Sequence, residues 1–333
     1  MPSANPDRLC RSPYVFVVGC PRSGTTLLQR MLDSHPQLAV ANDTHFIPRA
    51  IKHRAGDVNP LLTDDLVERV YAYRRFYRLG LTEAEVREAA APASTYRTFV
   101  SNLYALFARK QGKPLAGEKT PDYGRHLPLL HALFPWARFI HIIRDGRDVA
   151  LSTLEWAHEH KGPGRWAWWQ VDPLATCALW WRWQVSTGRQ NGAALGSDRY
   201  FEVRYEDLVA RPEAVLRAVT AFLHLPYSPN MPAFFEGKTR RRPGLSAKAA
   251  WLPATPGLRD WRAQMPKRDR TVFEALAGDL LAALDYEISG PPIPPDVEIL
   301  AQKSRRWWAD QNGKPSRAAN PSGVEASPAP HAS

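Results

Sequence analysis

The chain has 333 residues, 44% of them hydrophobic, with 12 Trp and with 44 Lys and Arg against 33 Asp and Glu, a formal net charge of +11 at pH 7. It can bury a large core, yet no run approaches the ~20 apolar residues of a membrane span, and the first residues, MPSANPDRLCRSP, lack the apolar region of a secretory signal. Cys10, Cys20 and Cys177 are few and unpatterned, which argues against a disulfide framework or a zinc site. The expectation is a reduced, cytoplasmic, soluble protein whose basic excess suits an anionic partner or a solvated surface.

In chain order, residues 1–12 are rich in polar residues and proline with little to bury, and read as a disordered tail. A β-branched run, Tyr14–Val18, predicts the first strand, and Thr25–Ser34 the helix after it. Leu38–Ala41 predicts a second strand. Asp64–Leu79 and Ser94–Gln111 predict helices in an inserted region spanning about residues 51–111. Strands follow at Leu115–Gly117, Phe139–Ile143 and Tyr200–Val203. The helices expected around them are Gly124–Phe134, Asp145–His160, Pro173–Gln190, Pro212–Leu223 and Arg270–Leu284. Residues 313–333 read as a second disordered tail, leaving residues 13–312 as one α/β domain. Strand and helix in alternation predict a P-loop-like three-layer fold: a central parallel sheet of about five strands with helices on both faces. Ligands in such folds bind at the carboxyl ends of the strands.

The first such end is the loop in VFVVGCPRSGTTLLQRMLDSHPQ, residues 15–37. Gly19, Gly24 and Thr26 nearly satisfy the phosphate-loop pattern G-x-x-x-x-G-K-[ST], but Thr25 stands in place of the lysine. Backbone amides leading into a helix form an anion site, and Gly24 lets the backbone pass close to a ligand. Arg22, Ser23, Thr25 and Thr26 add donors. The cation has moved to Arg22, and RFIHIIRDG delivers Arg144 before Asp145 rather than a clear magnesium carboxylate. The anion is therefore expected to be held by protein charge rather than by metal.

PRSGTTLL resembles the 5′-phosphosulfate loop of sulfotransferases that use 3′-phosphoadenosine 5′-phosphosulfate. RDGRDVALS resembles the second mark of that family, an Arg after a strand and a Ser eight residues on, here Arg144 and Ser152. Eight residues make about two helical turns at 3.6 residues each, so both can converge on one anion. PRSGTTLLQRMLDSHPQLAVANDTHFIPR and GEKTPDYGRHLPLLHALFPWARFIHIIRDGRDVALS are similar to the tyrosylprotein sulfotransferases and to a bacterial group that resembles them. RYEDLVARPEAVLRAVTAFLHLP resembles that family's last strand and helix. The likeness fades in the insert, in the Trp-rich segment and after Pro226.

The resemblance implies transfer of a sulfuryl group from 3′-phosphoadenosine 5′-phosphosulfate to an acceptor hydroxyl, leaving adenosine 3′,5′-bisphosphate, without a metal. It implies that Pro21, Arg22, Ser23, Gly24, Thr25 and Thr26 hold the 5′-phosphosulfate, Arg144 and Ser152 the 3′-phosphate, and Tyr205 the adenine. Asp43 falls where the tyrosylprotein enzymes carry a Glu general base, one methylene longer. His45 is its rival, because imidazole titrates near neutral pH. The alternative for ANDTHF is a capping turn. Lys119, in EKTPD, aligns with a Lys that stabilises charge on the departing oxygen, as Arg22 also would. KTRRRPGLSAK lies where a basic loop closes over the phosphates, which marks Arg241 and Lys248.

RWAWWQVDPLATCALWWRWQ holds six tryptophans. Trp180 and Trp181 are expected in the core, whereas Trp166, Trp168 and Trp169 precede a helix and are candidates to wall an acceptor pocket. The acceptor itself is open: a small molecule, carbohydrate, lipid or protein tyrosine. A P-loop kinase or nucleotide triphosphatase is the competing expectation and predicts magnesium-dependent ATP binding. A nucleic-acid-binding protein is the third, and no helix-turn-helix, zinc or RNP-type signal supports it.

Overall fold

The computed structural model describes residues 11–52, 56–157, 163–237, 252–290 and 292–312. Arg241 and Lys248, residues 1–10 of the first expected tail and the whole of the second, 313–333, lie outside these. The order begins β1 (Val15–Gly19), α1 (Thr25–Asp33), β2 (Leu38–Asn42), α2 (Phe46–Ala50), α3 (Asp64–Tyr71), α4 (Glu83–Ala90), α5 (Tyr96–Lys110), β3 (Leu115–Lys119) and α6 (Leu127–Leu133). It continues with β4 (Arg138–Ile143), α7 (Gly146–Ala157), α8 (Pro173–Ala193), β5 (Tyr200–Arg204), α9 (Tyr205–Ala210), α10 (Pro212–Phe222), α11 (Trp261–Gln264), α12 (Lys267–Ala283) and α13 (Pro295–Asn312).

The strands form one five-stranded sheet in the order β2-β3-β1-β4-β5, with every neighbouring pair parallel. Successive side chains of a strand face opposite sides, and both sides of this sheet are covered, so the strands are apolar almost throughout. Val15 and Val17 pack with Leu28, Leu32, Ile140, Leu216 and Val219 on the side of α1 and α10. Phe16 and Val18 pack on the other side with α6 and the insert helices α3, α4 and α5. A second cluster on that side joins α7, α8, α12 and α13 around Trp181, Phe273 and Leu276. The register aligns Gly19 with Ile142, Val17 with Lys119 and Asn42 with Lys119. The ends of β1, β2, β3 and β4 therefore open onto one edge, where the loops carry the candidate residues.

Two expected helices differ from the structure. Asp64–Leu79 is not one helix: α3 ends at Tyr71, and Phe76–Leu79 forms a separate 3-10 turn. Phe76 is buried there against Phe46 and Tyr71, at ring distances of 5.5 and 5.8 Å. Gly124–Phe134 likewise begins as a 3-10 turn, Pro121–His126, before α6. α4 was not expected, although Thr82 and Glu85 close a full capping box at its start.

Candidate active site

The loop after β1 turns sharply at Cys20–Gly24. Ser23 N–H donates to the Cys20 carbonyl at 3.1 Å, and Arg22 and Gly24 both take left-handed backbone, φ 79° and 87°. Gly24 is required twice over: by its φ, and because a Cβ there would lie 2.4 Å from Cδ2 of Tyr205. Gly24 is also the N-cap of α1 and supplies no side-chain cap. The first amides of that helix are thus open to an external acceptor, as an anion site needs. Thr25 and Ser23 are buried in the loop, and the Ser23 hydroxyl has no hydrogen-bond partner.

Three further groups gather on this loop. Arg22 Nε donates to Ser152 Oγ at 3.0 Å, and Arg144 Nη1 reaches the Arg22 carbonyl at 3.4 Å. The Arg144 guanidinium lies 4.3 Å from the centre of the Tyr205 ring, and its buried Nε has no partner. Arg22, Arg144, Ser152 and Tyr205, far apart in sequence, are thereby brought together. Arg22 stands with the Arg144–Ser152 group through its Nε. Burial, followed by the nearby charges of Arg259 and Arg144, lowers the proton affinity of Arg22. Like charges held this close are relieved by a bound anion.

Arg144 is held from behind. Trp181 Nε1 donates to its carbonyl at 3.1 Å, and Asp148 pairs with its guanidinium at 3.3 Å. Burial pushes the Asp148 carboxyl up to about 6. Asp145 is bound to the wholly buried Arg147, at 2.8 Å to Nη2, and Arg147 also pairs with Glu274 at 2.7 Å. Asp145 is therefore engaged in a structural ion pair rather than offered to a metal. Among the described residues no cluster of three or more His, Cys, Asp or Glu is placed to hold a metal ion. Cys20 and Cys177 are free thiols in the core, and burial raises the pKa of both.

The second group lies at the ends of β2 and β3. Lys119 is 1% exposed; its Nζ donates to Asp43 Oδ1 at 2.9 Å and to Thr26 Oγ1 at 3.3 Å. One ammonium thus links the phosphate-type loop to the carboxylate expected to act as base. Burial lowers the proton affinity of Lys119, and Asp43 works against that shift. Arg78 approaches Asp43 Oδ2 at 3.7 Å and donates to the Asn42 carbonyl at 3.1 Å. Asp43 and His45 both adopt left-handed backbone, φ 57° and 61°. Each such position costs about 1–3 kcal/mol and persists only where its surroundings enforce it. Burial, with Arg75 next in effect, lowers the pKa of His45 to about 4, so its ring is neutral at pH 7.

Of the expected tryptophans, Trp180 and Trp181 are buried in the core. Trp168 donates its indole N–H to Ser304 at 3.0 Å and stacks on Trp307 at 5.6 Å. Trp166 packs on Trp308 at 5.0 Å and Trp183 at 6.4 Å. These indoles anchor α13. Trp183 joins this cluster, 5.9 Å from Trp308, and has the Arg125 guanidinium 4.4 Å from its ring, with Arg125 paired to Asp122 at 3.4 Å.

Sequence reasoning missed Arg78, Arg259 and Glu118. Arg259, the partner of Glu155, is the cation from the C-terminal region that reaches the Arg22 group among the described residues. Its only signal was its place in a basic stretch after Pro226.

A loop of open helix amides beside clustered guanidiniums, at the carboxyl edge of a five-stranded parallel sheet, defines a P-loop-like α/β protein whose site chemistry suits an anionic group. The family model described as Sulfotransferase family matches residues 13–229, and the chain belongs to that family. Protein-tyrosine sulfotransferase A of Caenorhabditis elegans is 26% identical over 216 residues, covering 65% of this chain and 51% of that protein. Protein-tyrosine sulfotransferase 1 of Mus musculus is 27% identical over 303 residues, covering 88% and 75%. The chain spans about half the length of the first of these curated relatives. Among solved structures, a sulfotransferase domain from the curacin biosynthetic pathway shares the fold, with TM-score 0.54 and 21% identity over 83% of this chain and 98% of that one.

Proposed function

We propose that the protein transfers a sulfuryl group from 3′-phosphoadenosine 5′-phosphosulfate to an acceptor hydroxyl by in-line displacement. The observation that carries the reading is Lys119, a buried ammonium bridging Thr26 of the anion loop and Asp43. The residues present fit the donor. The amides of Gly24–Thr26 suit its 5′ end, the Arg144–Ser152–Arg22 group suits a 3′-phosphate, and Tyr205 offers a ring beside both. The unpartnered Arg144 Nε and Ser23 hydroxyl are unused donors of the kind such an anion takes up.

When bound, the donor supplies the sulfuryl group and a phosphate leaving group. Asp43 accepts the proton of the acceptor hydroxyl as its oxygen bonds to sulfur. Lys119 offsets the negative charge growing on the departing phosphate oxygen, in a site where burial makes a fixed cation effective. His45, neutral and half-buried, lines the acceptor side. Arg49, on the same short helix α2, and Arg75, preceding the 3-10 turn, both act on the His45 charge. Two protein-tyrosine sulfotransferases being among the relatives, a phenolic hydroxyl is the acceptor favoured here.

The test is incubation with donor labelled in its sulfuryl group, a panel of phenols and tyrosyl peptides, and a metal chelator. Labelled ester together with adenosine 3′,5′-bisphosphate is the expected product. Magnesium-dependent hydrolysis of ATP, with no labelled ester, would contradict the proposal and favour the kinase-like alternative.

A further inference from the structure

Glu118 precedes Lys119 on β3, and its side chain is wholly buried. In register it aligns with Phe16 and Ala41, so it lies on the apolar face of the sheet, away from Lys119. We propose that Glu118 is a positioning residue for sulfuryl transfer, one carboxylate that locks the turn carrying Asp43 to the strand end carrying Lys119. The inference rests on the roles given above to those two residues.

The geometry is specific. Glu118 Oε1 accepts Thr44 N–H at 3.0 Å and also accepts the hydroxyl of Thr120. Thr44 follows Asp43 and Thr120 follows Lys119, so the neighbours of both functional residues share one oxygen. Thr44 is moreover the residue between the left-handed Asp43 and His45. Its amide is where such a turn is best pinned. Oε2 accepts the Tyr104 hydroxyl at 2.9 Å, and that hydroxyl lies 3.4 Å from Thr44 Oγ1. Helix α5 of the insert thereby braces the same turn.

Burying a carboxylate among Phe16, Ala41, Tyr104 and Tyr123 carries a desolvation cost, which the hydrogen bonds from Thr44, Thr120 and Tyr104 offset. Burial raises the Glu118 pKa, opposed by hydrogen bonds from Thr120, Thr44 and Tyr104. What the carboxylate provides is three directed acceptor contacts, which no hydrocarbon supplies.

The test compares Glu118→Leu with Glu118→Gln. In the Leu variant kcat falls about 100-fold, the scale of a misplaced reacting group, while affinity for adenosine 3′,5′-bisphosphate is unchanged. The Gln variant keeps an oxygen for Thr44 N–H and recovers most of that loss. A Leu variant that binds the bisphosphate and turns over at the wild-type rate overturns the proposal, as does a Gln variant no faster than Leu. Should Leu fail to fold, judged by circular dichroism, Tyr104→Phe and Thr120→Val each remove one donor, and each lowers kcat several-fold with binding intact. Wild-type rates in both overturn it. Wild-type protein that transfers no sulfuryl group contradicts the proposed function instead, which keeps the two failures distinct.

Discussion

The two halves of the site are built differently. On the donor side, the loop after β1 and the start of α7 each place their groups within a few consecutive residues, and the supporting contacts come from Trp181, Asp148 and Arg147 in the dense core around α8 and α12. On the acceptor side, Asp43 and His45 sit on strained backbone, held by Glu118 and approached by Arg78 from the insert. The donor side joins two short stretches of consecutive residues to Tyr205, whereas the acceptor side is an assembly of single residues from several elements. Under the proposed function, that division leaves the acceptor contacts outside the loop assigned to the donor.

Substitution at Lys119 breaks the comparison most sharply. Lys119→Ala removes an ammonium bonded to both halves, and kcat falls about 10²–10³-fold, the cost of losing a preorganised charge stabiliser. Isothermal titration still finds the bisphosphate bound. Parallel loss of binding and turnover would show Lys119 to be structural. Next is Gly24→Ala: a Cβ 2.4 Å from the Tyr205 ring, on backbone at φ 87°, displaces that ring and weakens bisphosphate binding about tenfold or more. Unaltered affinity would remove Tyr205 from the donor side.

His45 sharpens the acceptor side. Its pKa of about 4 predicts no inflection near pH 6.5 in kcat, and His45→Asn keeps more activity than Asp43→Asn. An acid limb near pH 6.5 that His45→Asn abolishes would instead make the imidazole the base. The smallest expected effect is on stability. His141, fully buried, is pushed down to about 4, so the unfolded chain binds the extra proton between pH 6.5 and 4 and stability falls as pH drops through that window. By pH 5 that shift alone amounts to on the order of 2 kcal/mol. His45 and His126, also at about 4, act in the same direction, while Asp148, raised to about 6, opposes them. A melting temperature that fails to fall between pH 7 and pH 5 would contradict the buried, neutral state of these rings.

The contrast also explains what the sequence disclosed. The five strands were readable as apolar runs because both faces are covered, and their observed bounds differ by at most two residues at either end. The loop was readable because its residues are consecutive, and Arg144 and Ser152 because a fixed short spacing joins them, although the fold alone brings the two stretches together. Arg78 was not, since it reaches Asp43 through Phe76 inserting in the core, and no periodicity announces such a turn. Glu118 was missed because the expected third strand stopped at Gly117, which left Glu118 outside the alternation that assigns it a face. The helix α13 escaped notice because small or polar Ala301 and Ser304 occupy buried positions where an apolar stripe was sought. The capping box at Thr82–Glu85 was a signal present and overlooked.

The most direct measurement is the affinity of adenosine 3′,5′-bisphosphate relative to adenosine 5′-monophosphate, in the wild type and in Arg144→Ala. If one nucleotide is clasped between the α1 amides and the Arg144 group, the wild type prefers the bisphosphate by about tenfold or more, the worth of a charged hydrogen-bonded contact, and the variant loses that preference. Equal affinity for both nucleotides in the wild type, or a preference that survives the loss of Arg144, would contradict it.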